Sequence, residues 1–198
     1  MRIPKHILQV VYSVALVLSV SILVYSMPLF SGAIFTSDES GQPVNQNIYL
    51  YAQDVYLNGG PNNNNSSGLP ANTTFYFQVT DPSGRVLLSA DLAECRQVVT
   101  NSDGRIYGVP AGPGCFHSVG TVDPSNGSLA VQLYPFNPTP NKGGEYKVWL
   151  IPVSDATIAD DGRTLEFSNR NAKTDNYKLR NAPNCIIALP GGCVPPLD

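Results

Sequence analysis

The sequence predicts an all-β fold, a sandwich of about seven to nine strands preceded by an apolar leader helix. Three observations predict it. Short runs in which β-branched and aromatic side chains alternate with others recur along the chain, the period-two signature of strands. Clusters of Gly, Pro, Asn, Asp and Ser separate these runs, and the 17 Gly and 17 Pro supply more turns than a helical fold tolerates. After the leader no segment carries a convincing helical stripe, which favours a sandwich over an α/β arrangement.

The leader comes first. Residues Ile7 to Tyr25 carry no charged side chain, Arg2 and Lys5 precede them, and Pro28 ends any helix they form. A basic start followed by an apolar stretch is the pattern of an export signal. Ser31 and Ala33 are small residues two apart, as a signal peptidase requires, and they place cleavage after Ala33. The stretch is also close to the ~20 residues that span a bilayer, so the alternative is an uncleaved anchor with Arg2 and Lys5 on the cytoplasmic side. Either outcome exports residues 34–198 to a secreted, extracellular or periplasmic place, free or anchored by residues 7–25.

The chain then divides into a polar linker at 34–44, a sandwich domain at 45–180 and a Pro/Gly-rich tail at 181–198. In the domain, Ile48 and Leu50 share one face of the first run, and Val55 and Leu57 belong to the second. Asn58 to Pro70 is biased towards Gly, Asn and Ser, offers no apolar anchor and reads as a mobile loop. Phe75, Phe77 and Val79 then point one way while Thr74, Tyr76, Gln78 and Thr80 point the other. Asp81, Pro82, Ser83 and Gly84 make a turn, and Val86 and Leu88 return as a partner strand.

Further runs lie at Arg96–Val99, Arg105–Val109, Leu129–Tyr134, Glu145–Val153, Thr164–Phe167 and Asn176–Leu179. In the longest, Tyr146, Val148 and Leu150 alternate with Lys147, Trp149 and Ile151; apolar character on both faces predicts a central strand. Asp155 to Asp161 is read as one helical turn at most.

Cys95, Cys115, Cys185 and Cys193 all lie in the exported part, and an even number there implies disulfides. The favoured pairs are Cys95 with Cys115 and Cys185 with Cys193, because each pair brackets a Gly/Pro turn. Closing the first loop is worth ~3 kcal/mol on the chain-entropy argument. No CxxC spacing is present and His117 is the only exported histidine, which speaks against zinc.

Removal of Arg2 and Lys5 from the total of 12 Lys and Arg leaves ten against 15 Asp and Glu, a net charge of about −5. Such a surface repels nucleic acid, and no basic cluster interrupts it.

The opening Gly144, Glu145, Tyr146, Lys147, Val148 is similar to the Gly-x-Tyr strand starts of immunoglobulin-like and prealbumin-like sandwiches, whose tyrosine hydroxyl ties down a corner. With Gly68 to Thr73, Asp81 to Gly84, Tyr56 to Pro61 and Lys173 to Lys178, the chain from Asn45 to Leu179 resembles uncharacterised secreted bacterial β-sandwich domains of that kind. The resemblance implies a fold and a compartment but no activity. It also implies that the sequons at Asn64, Asn65, Asn72 and Asn126 stay bare.

The chemistry-bearing residues support no reaction. Asp160 and Asp161 are adjacent and read as a solvated turn rather than a glycosidase pair, whose members face each other across a substrate. Asp54, Asp81, Asp103, Asp123 and Asp175 lie near strand ends, where calcium sites form, but without the spacing of a calcium loop. His117 reads as a surface or turn histidine, and Trp149, Tyr146 and Tyr134 read as packing residues rather than a sugar platform. The expectation is a non-enzymatic module without cofactor, structural or adhesive in role, whose partner is a protein or glycan at the cell surface. A carbohydrate- or calcium-binding module and a secreted hydrolase are the alternatives. Membrane contact is expected only through the leader.

Overall fold

Phe75, Phe77 and Val79 alternate with Tyr76, Gln78 and Thr80 along β4 (Thr74–Thr80), and Tyr146, Val148 and Leu150 alternate with Lys147, Trp149 and Ile151 along β9 (Glu145–Pro152). The two strands pair antiparallel with Phe77 opposite Leu150 and Val79 opposite Val148, so both apolar sets fall on one face. The computed structural model describes residues 30–61, 66–111, 114–115 and 117–180, with the backbone of two short strands in the tail.

The other strands are β1 (Ile34–Ser37), β2 (Ile48–Tyr49), β3 (Tyr56–Gly59), β5 (Gln97–Thr100), β6 (Ile106–Gly108), β7 (Val119–Val122) and β8 (Leu129–Gln132). They continue with β10 (Ala156–Ile158), β11 (Leu165–Phe167), β12 (Lys173–Leu179), β13 (Ala188–Leu189) and β14 (Gly192–Cys193). A six-stranded sheet runs β2-β12-β9-β4-β5-β6 and a four-stranded sheet runs β1-β3-β8-β7. All their pairs are antiparallel except β2 with β12. Val55, Leu57, Val131 and Leu133 meet Phe75, Phe77, Val79, Val148 and Leu150 in one buried core between the sheets. The molecule is therefore an all-β sandwich, with more strands than the seven to nine expected. Among the described residues the helical segments are single 3-10 turns, and no helix is long and apolar enough to cross a membrane.

A second, smaller core explains the doubly apolar β9. Trp149, Ile151, Leu165 and Ala93 are buried together on the outer face of the six-stranded sheet, with Phe167 and Ile158 packed against them. The hairpin β10-β11 forms this outer cover. Asp155 to Asp161, read as one helical turn at most, instead carries strand: a 3-10 turn at Val153–Asp155 ends where the segment begins, and β10 follows at once.

Three expectations are corrected. Residues 34–44 are not a linker throughout: Ile34, Phe35, Thr36 and Ser37 are all buried, and β1 pairs with β3 along its whole length. Leu69, inside the stretch read as lacking an apolar anchor, is buried in the main core, and its N–H donates to the Gly104 carbonyl at 2.9 Å. Asn58 and Gly59 in the same stretch close β3 and are buried. Lastly, Val86 and Leu88 do not form a full partner strand: the return is made by isolated bridges from Leu87 to Thr80 and from Ser89 to Phe136.

Candidate functional site

The Cys95–Cys115 disulfide forms, with Cα atoms 5.0 Å apart, and carries the segment after Cys115 against the turn Ala93–Cys95. Cys185 and the Cys193 side chain lie outside the described residues, although the backbone of β13 and β14 pairs Ala188 with Cys193. Beside the disulfide lies a polar knot. His117 is buried, not a surface residue: its ring stands edge-on to Phe77 at 4.8 Å. Its Nδ1 lies 2.7 Å from the Gln132 carbonyl oxygen and its Nε2 lies 2.9 Å from Asp91 Oδ2. Asp91 Oδ1 in turn faces Arg96 Nε at 3.7 Å.

Arg96 has no solvent-exposed side-chain surface, which is rare for its type. Its Nε donates to the Leu92 carbonyl at 3.4 Å and its Nη2 to the Arg163 carbonyl, in the loop between β10 and β11. Burial pulls the guanidinium below its usual pKa, and Asp91 and Asp161 push it back up. The knot thus ties together the disulfide turn, β8 and the outer hairpin. It has the composition of an acid–base site and the wiring of a stitch, because both ring nitrogens of His117 face internal oxygens and neither is left to serve a nucleophile.

The aspartates considered for calcium are dispersed. Asp81 Oδ1 accepts the N–H groups of Arg85 and Val86, and its Oδ2 accepts the Ser83 hydroxyl. Asp123 accepts Ser125 through one oxygen and Gln42 and Asn126 through the other. Asp175, within β12 rather than at its end, accepts the Thr36 N–H at 2.8 Å and the Thr36 hydroxyl at 3.2 Å. In these three positions the carboxylates serve as turn caps and strand ties. Among the described residues no three His, Cys, Asp or Glu side chains gather into a metal site. Asp161 likewise accepts the N–H groups of Arg163 and Thr164 in the turn of the outer hairpin.

The three aromatic residues weighed as a platform do not share a face. Tyr146 points into the main core, Tyr134 packs at its margin, and Trp149 points outward into the second core. Trp149 Nε1 donates to Thr80 Oγ1 at 2.9 Å, and its ring edge lies against Gly84. A Cβ at Gly84 would stand 2.7 Å from that ring, and its φ of +78° is one that other residues rarely adopt.

Beside Trp149 opens a cleft of about 400 Å³ between the Ser83–Arg85 turn and β11, floored by Gln78, Trp149, Leu165 and Phe167 and rimmed by Arg85, Glu166 and Asn169. Gln78 is only 6% exposed, and its carboxamide oxygen takes no hydrogen bond among the described residues. Sequence reasoning missed Asp91 and Arg96 as partners of His117, and Gln78 as a polar residue of the cleft. The available signal was an arginine directly after a disulfide cysteine and at the mouth of an apolar run.

Fold and site define an all-β sandwich pinned by a disulfide, a bond consistent with an extracellular or periplasmic place. In comparisons with protein-family models, curated proteins and solved structures, nothing matches the chain.

Proposed function

We propose that this chain is a non-enzymatic β-sandwich module on the outer side of a membrane, with a structural or adhesive role towards a protein or glycan. The observation that carries the proposal is the knot of Asp91, Arg96 and His117 beside the Cys95–Cys115 disulfide. Among the described residues this grouping of acid–base side chains is wired inward, and it fastens two layers of the fold. A disulfide at this point suits an oxidising compartment. Kinship with immunoglobulin-like or prealbumin-like surface modules belongs to the same proposal, and the Tyr146 hydroxyl supports it by accepting the Thr139 N–H at 3.2 Å, in the manner of a tyrosine corner.

A second reading, a carbohydrate-binding module, is favoured by the outer cleft. Gln78 brings a carboxamide whose oxygen has no partner among the described residues, Arg85 and Glu166 bring opposite charges, and Leu165 and Phe167 bring apolar surface. Donors and acceptors without net charge, over an apolar floor, suit a neutral saccharide.

One set of experiments tests both readings. The chain displayed on a non-adherent cell should raise attachment, and the purified protein should turn over no ester, peptide or glycoside in a broad panel. Turnover that vanishes in a folded His117→Asn variant would defeat the proposal. Glycan-array binding lost on Gln78→Ala would shift the reading to the saccharide module.

A further inference from the structure

We infer that Phe30–Ala33 belong to the folded domain and remain in the mature protein, so that Ala33 is not the point at which the leader is removed. The small pair Ser31 and Ala33 fits a peptidase motif by type, yet all four residues at this junction are committed to the sandwich. The Phe30 ring lies 5.8 Å from that of Phe75, a fully buried core residue, and the Lys173 ammonium stands 5.3 Å from its centre. The Ser31 hydroxyl donates to the Gly68 carbonyl at 3.2 Å, and the Ala33 carbonyl accepts the Gly60 N–H at 3.1 Å. Gly32 has φ +92°, and a Cβ there would stand 2.6 Å from the Leu69 backbone nitrogen. Only glycine fits that contact without a shift.

A cut after Ala33 would act on all of these at once. It would uncover the edge of the core at Phe75 and deprive the Gly60 N–H of its acceptor. It would also place a charged α-ammonium on Ile34, a residue 7% exposed at the start of β1. A charge there has no carboxylate drawn up to meet it among the contacts of β1; Asp175 reaches the sheet two residues later, at Thr36. Burying an unpaired charge and an orphaned N–H opposes folding, so a domain released at Ile34 would begin with its first strand destabilised. The small residue between Ser31 and Ala33 has a structural reason of its own: Gly32 must pass close to Gly68 and Leu69, while Ser31 and Ala33 are exposed on either side of it.

The consequence for presentation is geometric. Phe30 joins the sandwich where β4 starts and β9 ends, since Phe75 pairs with Pro152 there. The Asp81–Gly84 turn lies beyond the opposite end of β4, so the cleft beside it opens away from the leader's attachment.

The test uses the full chain exported by a secretory host. Intact mass and N-terminal sequencing should find a mature protein that begins at or before Phe30. A start at Ile34 would overturn the inference. Because Ala33 is exposed, Ala33→Gln leaves the fold intact while blocking any peptidase that needs a small residue there. It should leave the mature mass unchanged apart from the substitution itself; accumulation of a longer form would also overturn the inference. Gly32→Val in the same chain should lower Tm by several degrees, and an unchanged Tm would count against a role for this segment in the fold. None of these outcomes depends on the adhesive role.

Discussion

Tyr177 stacks flat on Tyr146, with ring centres 5.2 Å apart and planes 6° from parallel, while Tyr49 and Phe136 meet it edge-on. Burial pushes the hydroxyl of Tyr177 well up and raises that of Tyr146, so both rings are neutral phenols at any physiological pH. Their hydroxyls nevertheless do different things. That of Tyr146 accepts the Thr139 N–H, whereas that of Tyr177 is buried and takes no partner among the described residues. Removing an oxygen that satisfies a backbone donor should cost about 1 kcal/mol, and removing one that is itself unsatisfied should cost nothing or stabilise. Urea unfolding should therefore show Tyr146→Phe destabilised and Tyr177→Phe equal to or above the parent. Equal losses in the two would show that the hydroxyl of Tyr177 has a partner.

At the scale of elements, the outer hairpin is where a layer was hardest to read. Leu165 is buried at 4% exposure against Trp149 and Ile151, so Leu165→Ala should cost about 2–5 kcal/mol, as a core truncation does. Val122→Ala, at a position 59% exposed in β7, should lie within about 0.5 kcal/mol of the parent. Urea titration of both separates a second core from a loosely applied flap, because a flap would give similar small losses. The sequence made β4 and β9 plain, since seven or eight alternating residues outvote any local ambiguity. It also showed β9 to be central, from its two apolar faces. The run at Thr164–Phe167 that holds β11 was legible, but that it covers the outer face was not, because its partner β10 has three residues and no periodicity to measure. Nor was β1: Thr36 and Ser37 are polar by type but buried, Thr36 against Asp175, a partner 139 positions away. In Ile48, Tyr49 and Leu50 every residue is apolar, so alternation does not choose a face. Packing on Tyr177 turns Tyr49 inward and leaves Ile48 and Leu50 exposed. The polar knot escaped for the same reason, as Asp91, Arg96 and His117 are joined only by the disulfide and the fold of β8.

At the scale of the whole molecule, four aspartates fall into two sets that pull stability in opposite directions with pH. Desolvation raises Asp81 and Asp123, but hydrogen bonds from Ser83, Val86 and Arg85 and from Ser125, Gln42 and Asn126 outweigh it and hold both below 3.8. Asp161, hydrogen-bonded by Thr164 and Arg163, is drawn down to about 2. A folded pKa below the unfolded one means stability that is present above 3.8 and lost as pH falls towards 2. Asp175 has the opposite sign: burial raises it despite its bonds from Thr36 and the Asn176 N–H, so its ionised form opposes folding at neutral pH. That opposition is relieved as pH falls through the raised value. The Tm should therefore hold or climb from neutral pH into mild acid, pass a maximum, and drop between pH 3.8 and about 2. Asp175→Asn keeps an oxygen for the Thr36 N–H and removes the charge, so it should raise the neutral Tm and abolish the climb while leaving the acid drop in place. Thermal scans of parent and variant across this range test the assignment. A parent Tm that falls steadily from neutral pH would show that the buried carboxylate between β1 and β12 is not a net burden, and that its bonds to Thr36 outweigh its desolvation.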